Sequence, residues 1–562
     1  MGQEVGNLRR FVWPRTCARA PVVTLPEPFQ AGGVVALAEQ VLAHRFPLLG
    51  FEAATGERIE WRRDYVNGKT SGTAYFRRVP YLDFSRVGDH KIVWELNRHQ
   101  HLVLLAQAFR LTGRQEFLGE IVRQIESWWD DNPWMRGINW VSALEVAFRS
   151  LSWLRVIQIA GPALPEVFRR RLLEELWRHG LYLENNLSIY FSPNTHLLGE
   201  AVALHALGTV LGEKRWRAKG REQVLDQMRL QVRADGSHFE QSSYYHLYAL
   251  DMFLFHHTLE PGPPEFVAAL ERMADFLDAL IGPGRRLPFL GDDDGGRFFH
   301  PYGRRDEFAR ATLEAFGQRP RRSKLFPDSG LAVMISGERQ VIVDAGSMGF
   351  GGAGHSHADT LSMIARIGDE EILIDPGTFT YVSEPQWREW FRSTAAHNTV
   401  RIDGRDQATP AGPFRWASKP EVAVRLWSST AECDHIDAEC RYGLTHRRRV
   451  WFRKPDLVFV LDEVEGAPGE HQVEQFWHLA DARHRHRLSF SEPAQTDCEG
   501  WHSPVYGVRV PAPAVCVTRR GPLPLRLAAV LDLSDNPKPA PPRLEHQDGR
   551  LTLICGDVRL PA

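Results

Sequence analysis

The chain has 562 residues, which is too long for one ordinary core and predicts two or three domains. Hydrophobic residues make up 43% and charged residues 25%, the balance of a folded protein rather than a disordered one. Lysine plus arginine (68) nearly equals aspartate plus glutamate (70), so no overall field of one sign exists to recruit nucleic acid or an anionic membrane. An acidic ligand therefore needs a local basic cleft, and the sequence makes no prediction of oligomeric state.

The N-terminus has no obvious targeting segment. Arg9 and Arg10 are not followed by an apolar run of the length that a signal peptide needs, and no stretch approaches the ~20 apolar residues of a membrane span. We expect a cytoplasmic protein, or a periplasmic or secreted one whose leader is missing from this sequence.

The first half of the chain has the apolar spacing of helices. From about Val34 to Ala315 the pattern is mostly helical, as in residues 101–109 and 141–149, with short breaks at Gly, Pro or Asn. Such a run predicts stacked helical hairpins.

The pattern changes to that of β-strands near residue 325. Residues 329–335 and 340–344 are rich in β-branched side chains, and residues 448–452 and 457–461 flank a Lys-Pro-Asp turn that predicts a hairpin. We therefore predict a helical domain at 1–325 and an antiparallel β domain at 326–562.

The segment SPNTHLLGE opens a helix and carries the first candidate site residues. Asn194 is a good N-cap, and His196 and Glu200 stand four residues apart on one helix face, where they could orient an imidazole for acid or base work. The alternative is that Asn194 only caps and His196 only packs.

The segment DGSHFEQSSYYH holds more donors and acceptors than packing alone favours. Tyr245, beside His246, is a candidate proton donor, with a core position as the alternative. Upstream, Asn139, Trp140 and Arg149 have the chemistry of a sugar subsite, although a structural salt bridge between Glu145 and Arg149 fits the spacing equally well.

In the strand half, a glycine-rich segment leads into two alternating histidines, His355 and His357, whose rings face one side if the backbone is extended. Asp375 ends a buried strand further on, and His397 follows in AAHNTV. Two imidazoles and one carboxylate with an open fourth position are the ligand set expected of zinc, with ordinary turn residues as the alternative.

Taken together, SPNTHLLGEA, DGSHFEQSSYYH, GHSHAD, LIDPGTFTY and HNTV resemble the heparinase II/III-like polysaccharide lyases and their alginate-lyase relatives. The resemblance runs from about Trp94 to Thr399. It implies a multidomain α and β fold in which an N-terminal (α/α) toroid is followed by a C-terminal antiparallel β-sandwich, with the cleft between them.

The resemblance also implies roles for individual residues. Tyr245 matches the general acid, His355 the catalytic histidine and Tyr381 a second catalytic tyrosine. Asn194 or His196 takes the place of the group that neutralises the substrate carboxylate. The family's metal ligands are matched by His357, Asp375 and His397. They imply a divalent metal, Zn²⁺ with Mn²⁺ or Ca²⁺ as alternatives, whose role is mainly structural.

The implied activity is β-elimination on an anionic polysaccharide with 4-linked uronates, a glycosaminoglycan such as heparan sulfate, hyaluronan or chondroitin. Alginate or another bacterial polyuronate is the alternative substrate. In this chemistry donors neutralise the carboxylate, a base removes the C5 proton, and Tyr245 protonates the leaving oxygen; His355 or Tyr381 abstracts the proton if Tyr245 does not. The candidate substrate-binding residues are Asn139, Trp140, Arg149, Glu200, Glu240 and His246.

Two other classes of function remain as alternatives. A glycoside hydrolase needs two carboxylates across the scissile bond, which Glu240 and one of Asp292, Asp293 or Asp294 could supply. A non-catalytic glycan-binding protein would keep the cleft without the chemistry.

Overall fold

The computed structural model describes residues 33–190, 192–298, 304–317, 319–547 and 550–561. Helices precede the large sheets, since the last helix of the first part ends at Glu314 and the first strand of those sheets begins at Lys324. Residues 1–32, on which the expectation about a leader depends, lie outside the described residues. In the described part of the chain, no helix is both long enough and apolar enough to cross a membrane.

The helical domain packs its helices around one large apolar core. They are α1 Val34–Leu42, α2 Phe84–Val87, α3 His90–Asn97, α4 Gln100–Thr112, α5 Gln115–Asp131, α6 Ala143–Ala160, α7 Glu166–Asn186, α8 Thr195–Leu211, α9 Lys214–Gln231, α10 Ser243–Leu259, α11 Pro264–Ile281 and α12 Arg305–Glu314. Two short antiparallel pairs accompany them: β1 Arg45–Leu48 with β2 Phe51–Ala54, and β3 Arg63–Asp64 with β4 Lys69–Thr70.

Helix α8 lies deep in this domain. Its sequence is apolar on nearly all sides, and nearly all of its residues are buried, as expected for a helix that packs all round. Glycines let its backbone approach α9 closely: a Cβ on Gly208 would lie 2.2 Å from the backbone nitrogen of Arg217, and one on Gly220 would lie 2.4 Å from that of His205. The N-terminus of α8, which carries Asn194 and His196, is held by a separate contact, in which Gln231 Nε2 donates to the Asn194 carbonyl oxygen at 2.9 Å.

The second part is built from antiparallel sheets. A five-stranded sheet has the order β5 Lys324–Phe326, β6 Leu331–Ser336, β7 Arg339–Asp344, β8 Met363–Ile367, β9 Glu370–Leu373. A six-stranded sheet has the order β11 Glu421–Ser429, β12 Cys433–Arg441, β13 Thr445–Arg453, β14 Leu457–Glu465, β21 Leu525–Asp532, β16 Leu488–Phe490. A four-stranded sheet has the order β10 Val400–Ile402, β15 Glu470–His478, β20 Ala514–Pro522, β17 Ala494–Cys498.

Smaller elements complete this part. They are the helix α13 Pro385–Phe391, the hairpin β18 Trp501–Val505 with β19 Val508–Pro511, and the C-terminal sheet β22 Arg543–Gln547, β23 Arg550–Cys555, β24 Val558–Pro561. Side chains of the five- and six-stranded sheets share one apolar core, which makes the layers a sandwich. The predicted hairpin is β13–β14, with Arg453 opposite Leu457, and this prediction is confirmed.

The two parts meet at several places, among them α11 and the β18–β19 hairpin. Phe276 and Leu280 of α11 pack on Val333 of the five-stranded sheet. At the tip of the β18–β19 hairpin, the Tyr506 hydroxyl donates to Asp89 Oδ2 of the helical domain (2.9 Å) and accepts from the backbone nitrogen of Tyr381 (3.1 Å). The predicted fold class is confirmed, and the domain boundary predicted at 325, which falls within β5, stays a prediction.

Candidate active site

Tyr245 and His355, which are far apart in the sequence, meet where the two domains face each other. Tyr245 lies in the first turn of α10, and His355 lies in the long loop between β7 and β8. Their rings stack with centroids 3.8 Å apart and an angle of 21° between the planes. The Tyr245 hydroxyl lies 3.3 Å from the Tyr381 hydroxyl and donates to Asp294 Oδ2 at 3.2 Å. The structure therefore brings three of the five predicted catalytic side chains together.

Asn194 and Glu240 border the same site from the helical domain. The predicted N-cap is confirmed, because Asn194 Oδ1 accepts from the backbone nitrogen of His196 at 3.1 Å. The amide nitrogen of Asn194 donates to Glu240 Oε1 at 2.7 Å, and the same oxygen lies 3.6 Å from His355 Nε2. Nitrogen atoms from both domains thus face one carboxyl oxygen, and that of Asn194 is hydrogen-bonded to it.

Burial controls the protonation of the site. It raises the pKa of the Tyr245 and Tyr381 phenols well above their usual range, so both are neutral at physiological pH. It lowers the pKa of His196 to about 4, so that ring is neutral as well. For His355 burial acts in the same downward direction, but the hydrogen bond with Asp292 and the nearby charge of Glu240 outweigh it, and the pKa is raised. Burial also raises the pKa of Glu240.

Asp292 and Arg388 form a fully buried ion pair directly behind His355. The guanidinium of Arg388 donates to both carboxylate oxygens of Asp292, at 2.5 and 2.8 Å. The loop that carries Asp292 is pressed against the histidine segment: Asp292 N donates to His355 O at 2.9 Å, and a Cβ on Gly291 would lie 2.6 Å from that oxygen. Sequence reasoning missed Arg388 and considered Asp292 only as a hydrolase carboxylate. The signal in the sequence was the acidic run flanked by glycines.

The three predicted metal ligands also come together. His357 Nδ1 lies 3.1 Å from His397 Nε2, which lies 3.5 Å from Asp375 Oδ2. His397 donates from Nδ1 to the Ser393 carbonyl oxygen at 2.7 Å, so its Nε2 carries a lone pair toward the cluster, and Asp375 Oδ2 is buried with no hydrogen-bond partner among the described residues. Lone pairs that face one another in a buried site fit a bound cation. Asp359, which the sequence analysis did not include, belongs to the same cluster.

Asn139, Trp140 and Arg149 do not form a sugar subsite, and this prediction is corrected. All three are buried in the helical core: Asn139 Nδ2 bonds to Asn97 and Asn132, and the Arg149 guanidinium lies 4.2 Å from the centre of the Trp128 ring. The predicted Glu145–Arg149 salt bridge is also wrong, because Glu145 pairs with Arg98 through two bonds of 2.8 Å. The Arg149 guanidinium packs on the rings of Trp128 and Trp140 and not on the predicted carboxylate of Glu145.

Glu200 and His246 point away from the cleft as well, which corrects their assignment to substrate binding. Glu200 is fully buried and accepts from the nitrogen and hydroxyl of Ser188, at 2.7 and 2.6 Å, so it does not pair with His196. His246 is buried and bonds through Nε2 to the Met273 carbonyl oxygen at 2.9 Å. Each side chain is thus buried within the helical domain, Glu200 on α8 and His246 on α10.

The three aspartates considered as partners of Glu240 in a hydrolase each have a cation partner. Asp292 pairs with Arg388, Asp293 with Arg305 at 2.8 Å, and Asp294 with Lys91 at 3.1 Å. The positive charge of Arg388 holds the pKa of Asp292 well below its usual range despite complete burial. The pKa values of Asp292 and Asp294 are lowered, the opposite of the raised pKa that a general acid for hydrolysis requires.

Family models, curated proteins and solved structures all relate the chain to heparinases. The model of the heparinase II/III N-terminus matches residues 28–298, and that of the heparinase II/III-like C-terminal domain matches residues 318–518. A heparin-sulfate lyase of Bacteroides stercoris is 23% identical over 510 residues, covering 81% of this chain and 71% of that protein. A heparin-sulfate lyase of Pedobacter heparinus is 25% identical over 418 residues, covering 68% and 61%. The crystal structure of heparinase III has the same fold, with a TM-score of 0.74 at 16% identity over 100% of this chain and 95% of that one.

The fold and these relatives define the class of the protein: it is a polysaccharide lyase. More narrowly, the two matched domains together span most of the chain, and the chain belongs to the heparinase II/III-like family.

Proposed function

We propose that the protein cleaves a glycosaminoglycan at 4-linked uronates by β-elimination, leaving an unsaturated uronate at the new chain end. The observation that carries the proposal is the stacking of Tyr245 on His355 at 3.8 Å between the two domains. The names of the two curated relatives, both heparin-sulfate lyases, support a glycosaminoglycan over alginate.

The substrate carboxylate must be neutralised before the C5 proton becomes acidic, and donors aimed at it are each worth about 3 kcal/mol by analogy with oxyanion holes. Asn194 and His355 supply these donors. They already converge on Glu240 Oε1, at 2.7 and 3.6 Å, and Asn194 keeps a second amide hydrogen for a ligand. Since the pKa of Glu240 is raised, its carboxyl repels an incoming carboxylate less than an ordinary glutamate would.

Tyr245 acts as the general acid. Its raised pKa keeps the phenol protonated, so the hydroxyl can protonate O4 of the departing sugar. Tyr381 lies 3.3 Å away, hydroxyl to hydroxyl, and can return a proton to it.

The C5 proton must pass to an unprotonated base, and among the titratable candidates for catalysis His196 meets this condition at neutral pH. Its pKa of about 4 leaves the imidazole unprotonated at neutral pH, whereas both phenols are protonated and the pKa of His355 is raised. The position of His196 in the first turn of α8 also favours the neutral ring, because the positive end of the helix dipole disfavours an imidazolium.

A divalent cation, with Zn²⁺ as the first candidate, would be held by His357, Asp375 and His397 and would join the loops that carry them. Its proposed role is structural, because it would fix the segment that presents His355.

The test is incubation of the protein with heparan sulfate, hyaluronan, chondroitin and alginate while the absorbance of the unsaturated uronate is followed. A hydrolase would create reducing ends without this chromophore, and a binding protein would create neither. Absence of the chromophore with every glycan, while reducing ends accumulate, would refute β-elimination.

The Tyr245→Phe variant tests the assigned acid. We expect kcat to fall by about 10²–10⁴-fold, because the acid is lost while the ring still stacks on His355. Tyr244→Phe is the matched control: Tyr244 is the adjacent buried phenol, its hydroxyl accepts from Arg297 at 2.9 Å, and its loss should change the rate little. Full activity in Tyr245→Phe would remove Tyr245 from the mechanism.

A further inference from the structure

One buried carboxylate contacts both functional histidine rings of the β7–β8 loop. Asp292 Oδ2 lies 3.1 Å from His355 Nδ1, and Asp292 Oδ1 lies 3.0 Å from His357 Nε2. The first ring belongs to the candidate catalytic set and the second to the candidate metal centre. Asp292 itself is fully buried and has no access to a sugar.

The chemistry of a carboxylate fixes which ring nitrogens carry hydrogen. An ionised carboxylate only accepts hydrogen bonds, so each histidine must present an N–H to Asp292. His355 is therefore protonated on Nδ1, and its Nε2 points toward Glu240 and the cleft. His357 is protonated on Nε2, which leaves the Nδ1 lone pair facing His397 at 3.1 Å.

Arg388 keeps this carboxylate ionised and immobile. Its two guanidinium nitrogens bond to the two oxygens of Asp292, and it is tied to the loops by bonds to the carbonyl oxygens of Gly354 (3.2 Å) and Pro413 (3.1 Å). Gly354 directly precedes His355. With two bonds from Arg388, one from each histidine and a longer one of 3.5 Å from Thr378 Oγ1, the acceptor sites of Asp292 are occupied.

We propose that Asp292, held by Arg388, is a positioning residue that sets the orientation and tautomer of His355 and His357 together, so that one carboxylate couples the metal centre to the catalytic imidazole. The half that concerns His355 depends on the proposed function, whereas the half that concerns His357 does not. Carboxylates that accept from the second nitrogen of a ligand histidine orient the ring and increase its basicity.

Asp292→Asn is the test variant, because asparagine keeps the shape and loses the charge and one acceptor. An amide oxygen can serve only one of the two rings, and the amide NH₂ opposes the N–H of the other ring. We expect kcat to fall by about 10²–10⁴-fold with KM within about threefold, as for the loss of an orienting carboxylate behind a catalytic histidine. The affinity of metal-free protein for Zn²⁺, measured by competition with a chromophoric chelator, should fall by about 10–100-fold.

Asp434→Asn is the matched control. Asp434 is also a fully buried carboxylate with a cation partner, Lys454 Nζ at 2.9 Å, but it lies at the start of β12 and contacts neither histidine. This variant should lose thermal stability while kcat and Zn²⁺ affinity stay within about twofold of the wild type.

Two results would overturn the proposal: an Asp292→Asn variant with unchanged kcat and Zn²⁺ affinity, or one in which only one of the two quantities changes. If the wild type cleaves no glycan, the proposed function fails, and the Zn²⁺ titration still decides the His357 half. If Asp292→Asn does not fold, ¹⁵N-histidine NMR of the metal-free wild type decides the question. We expect Nδ1 of His355 and Nε2 of His357 to carry a hydrogen, whether or not the other nitrogen of His355 is also protonated. A hydrogen-free Nδ1 on His355 or a hydrogen-free Nε2 on His357 contradicts the proposal.

Discussion

Replacing Glu200 with glutamine should make the protein more stable at alkaline pH. Burial raises the pKa of Glu200 to about 8 from an ordinary value of 4.5, and the side chain is fully buried at 0% exposure. In the unfolded chain the carboxyl ionises near its ordinary pKa, whereas in the folded protein it stays protonated up to about pH 8. The stability that the neutral carboxyl contributes is therefore fully present below about pH 4.5 and is lost as the pH rises to about 8.

The size of this loss of stability follows from the shift in the pKa of Glu200. Between about pH 5 and about pH 9 the wild type should lose about 4 kcal/mol through this one group, at about 1.4 kcal/mol per pKa unit. Glutamine has no proton to lose and keeps both contacts: its oxygen can accept from the Ser188 nitrogen and its amide can donate to the Ser188 hydroxyl, at the positions now 2.7 and 2.6 Å apart. The variant should therefore be close to the wild type at about pH 5 and clearly more stable at about pH 9.

Calorimetric Tm values of both proteins across this range provide the measurement. Glu145→Gln is the matched control with the opposite sign, because Glu145 is equally buried but its pKa is lowered, the ion pair with Arg98 outweighing the effect of burial. That variant should lose stability at neutral pH. A Tm difference between Glu200→Gln and the wild type that is the same at both ends of the range would refute the reasoning, because it would mean that Glu200 is ionised in the folded protein.

Two further predictions concern the site. Asn194→Asp keeps the oxygen that caps α8 but puts a negative charge 2.7 Å from Glu240. We therefore expect kcat/KM to fall at least about 10²-fold with little change in the circular dichroism spectrum. Asn194→Ser, which is neutral, should lose less activity. Removing metal with a chelator should lower the Tm and the activity together, and adding Zn²⁺ should restore both. In the His357→Ala variant, neither the chelator nor Zn²⁺ should change the Tm. If elemental analysis of purified wild type finds no metal, the assignment of His357, Asp375 and His397 as ligands fails.

Much of the architecture could be predicted from local patterns. The switch from helical to strand spacing near residue 325, the N-cap at Asn194 and the β13–β14 hairpin each depend on neighbouring residues, since helix and strand periodicities and turn chemistry act over a few positions. The polar motifs around Tyr245 and His355 stood out in the sequence because so many polar groups are costly to bury without a purpose.

The incorrect assignments of substrate-binding residues were made from side-chain chemistry alone, without knowledge of which side chains are buried. Asn139 and Arg149 have the right groups for a sugar, and Glu200 has the right spacing from His196, yet all three side chains point into the helical core. Spacing along a helix tells which residues share a face but not whether that face meets solvent, a neighbouring helix or the cleft.

What the sequence determined by itself was the order of the domains, the ends of several elements and the side chains capable of acid, base and metal chemistry, because these depend on residue type and on short-range periodicity. Only the tertiary structure decided that Tyr245 stacks on His355, that Arg388 and Asp292 meet behind that ring, and that Asp359 joins the metal cluster. Those contacts join segments that are dozens to more than a hundred residues apart. The Tyr245–His355 and Asp292–Arg388 contacts depend on how the two domains pack against each other, and the metal cluster depends on how the loops of the second domain fold.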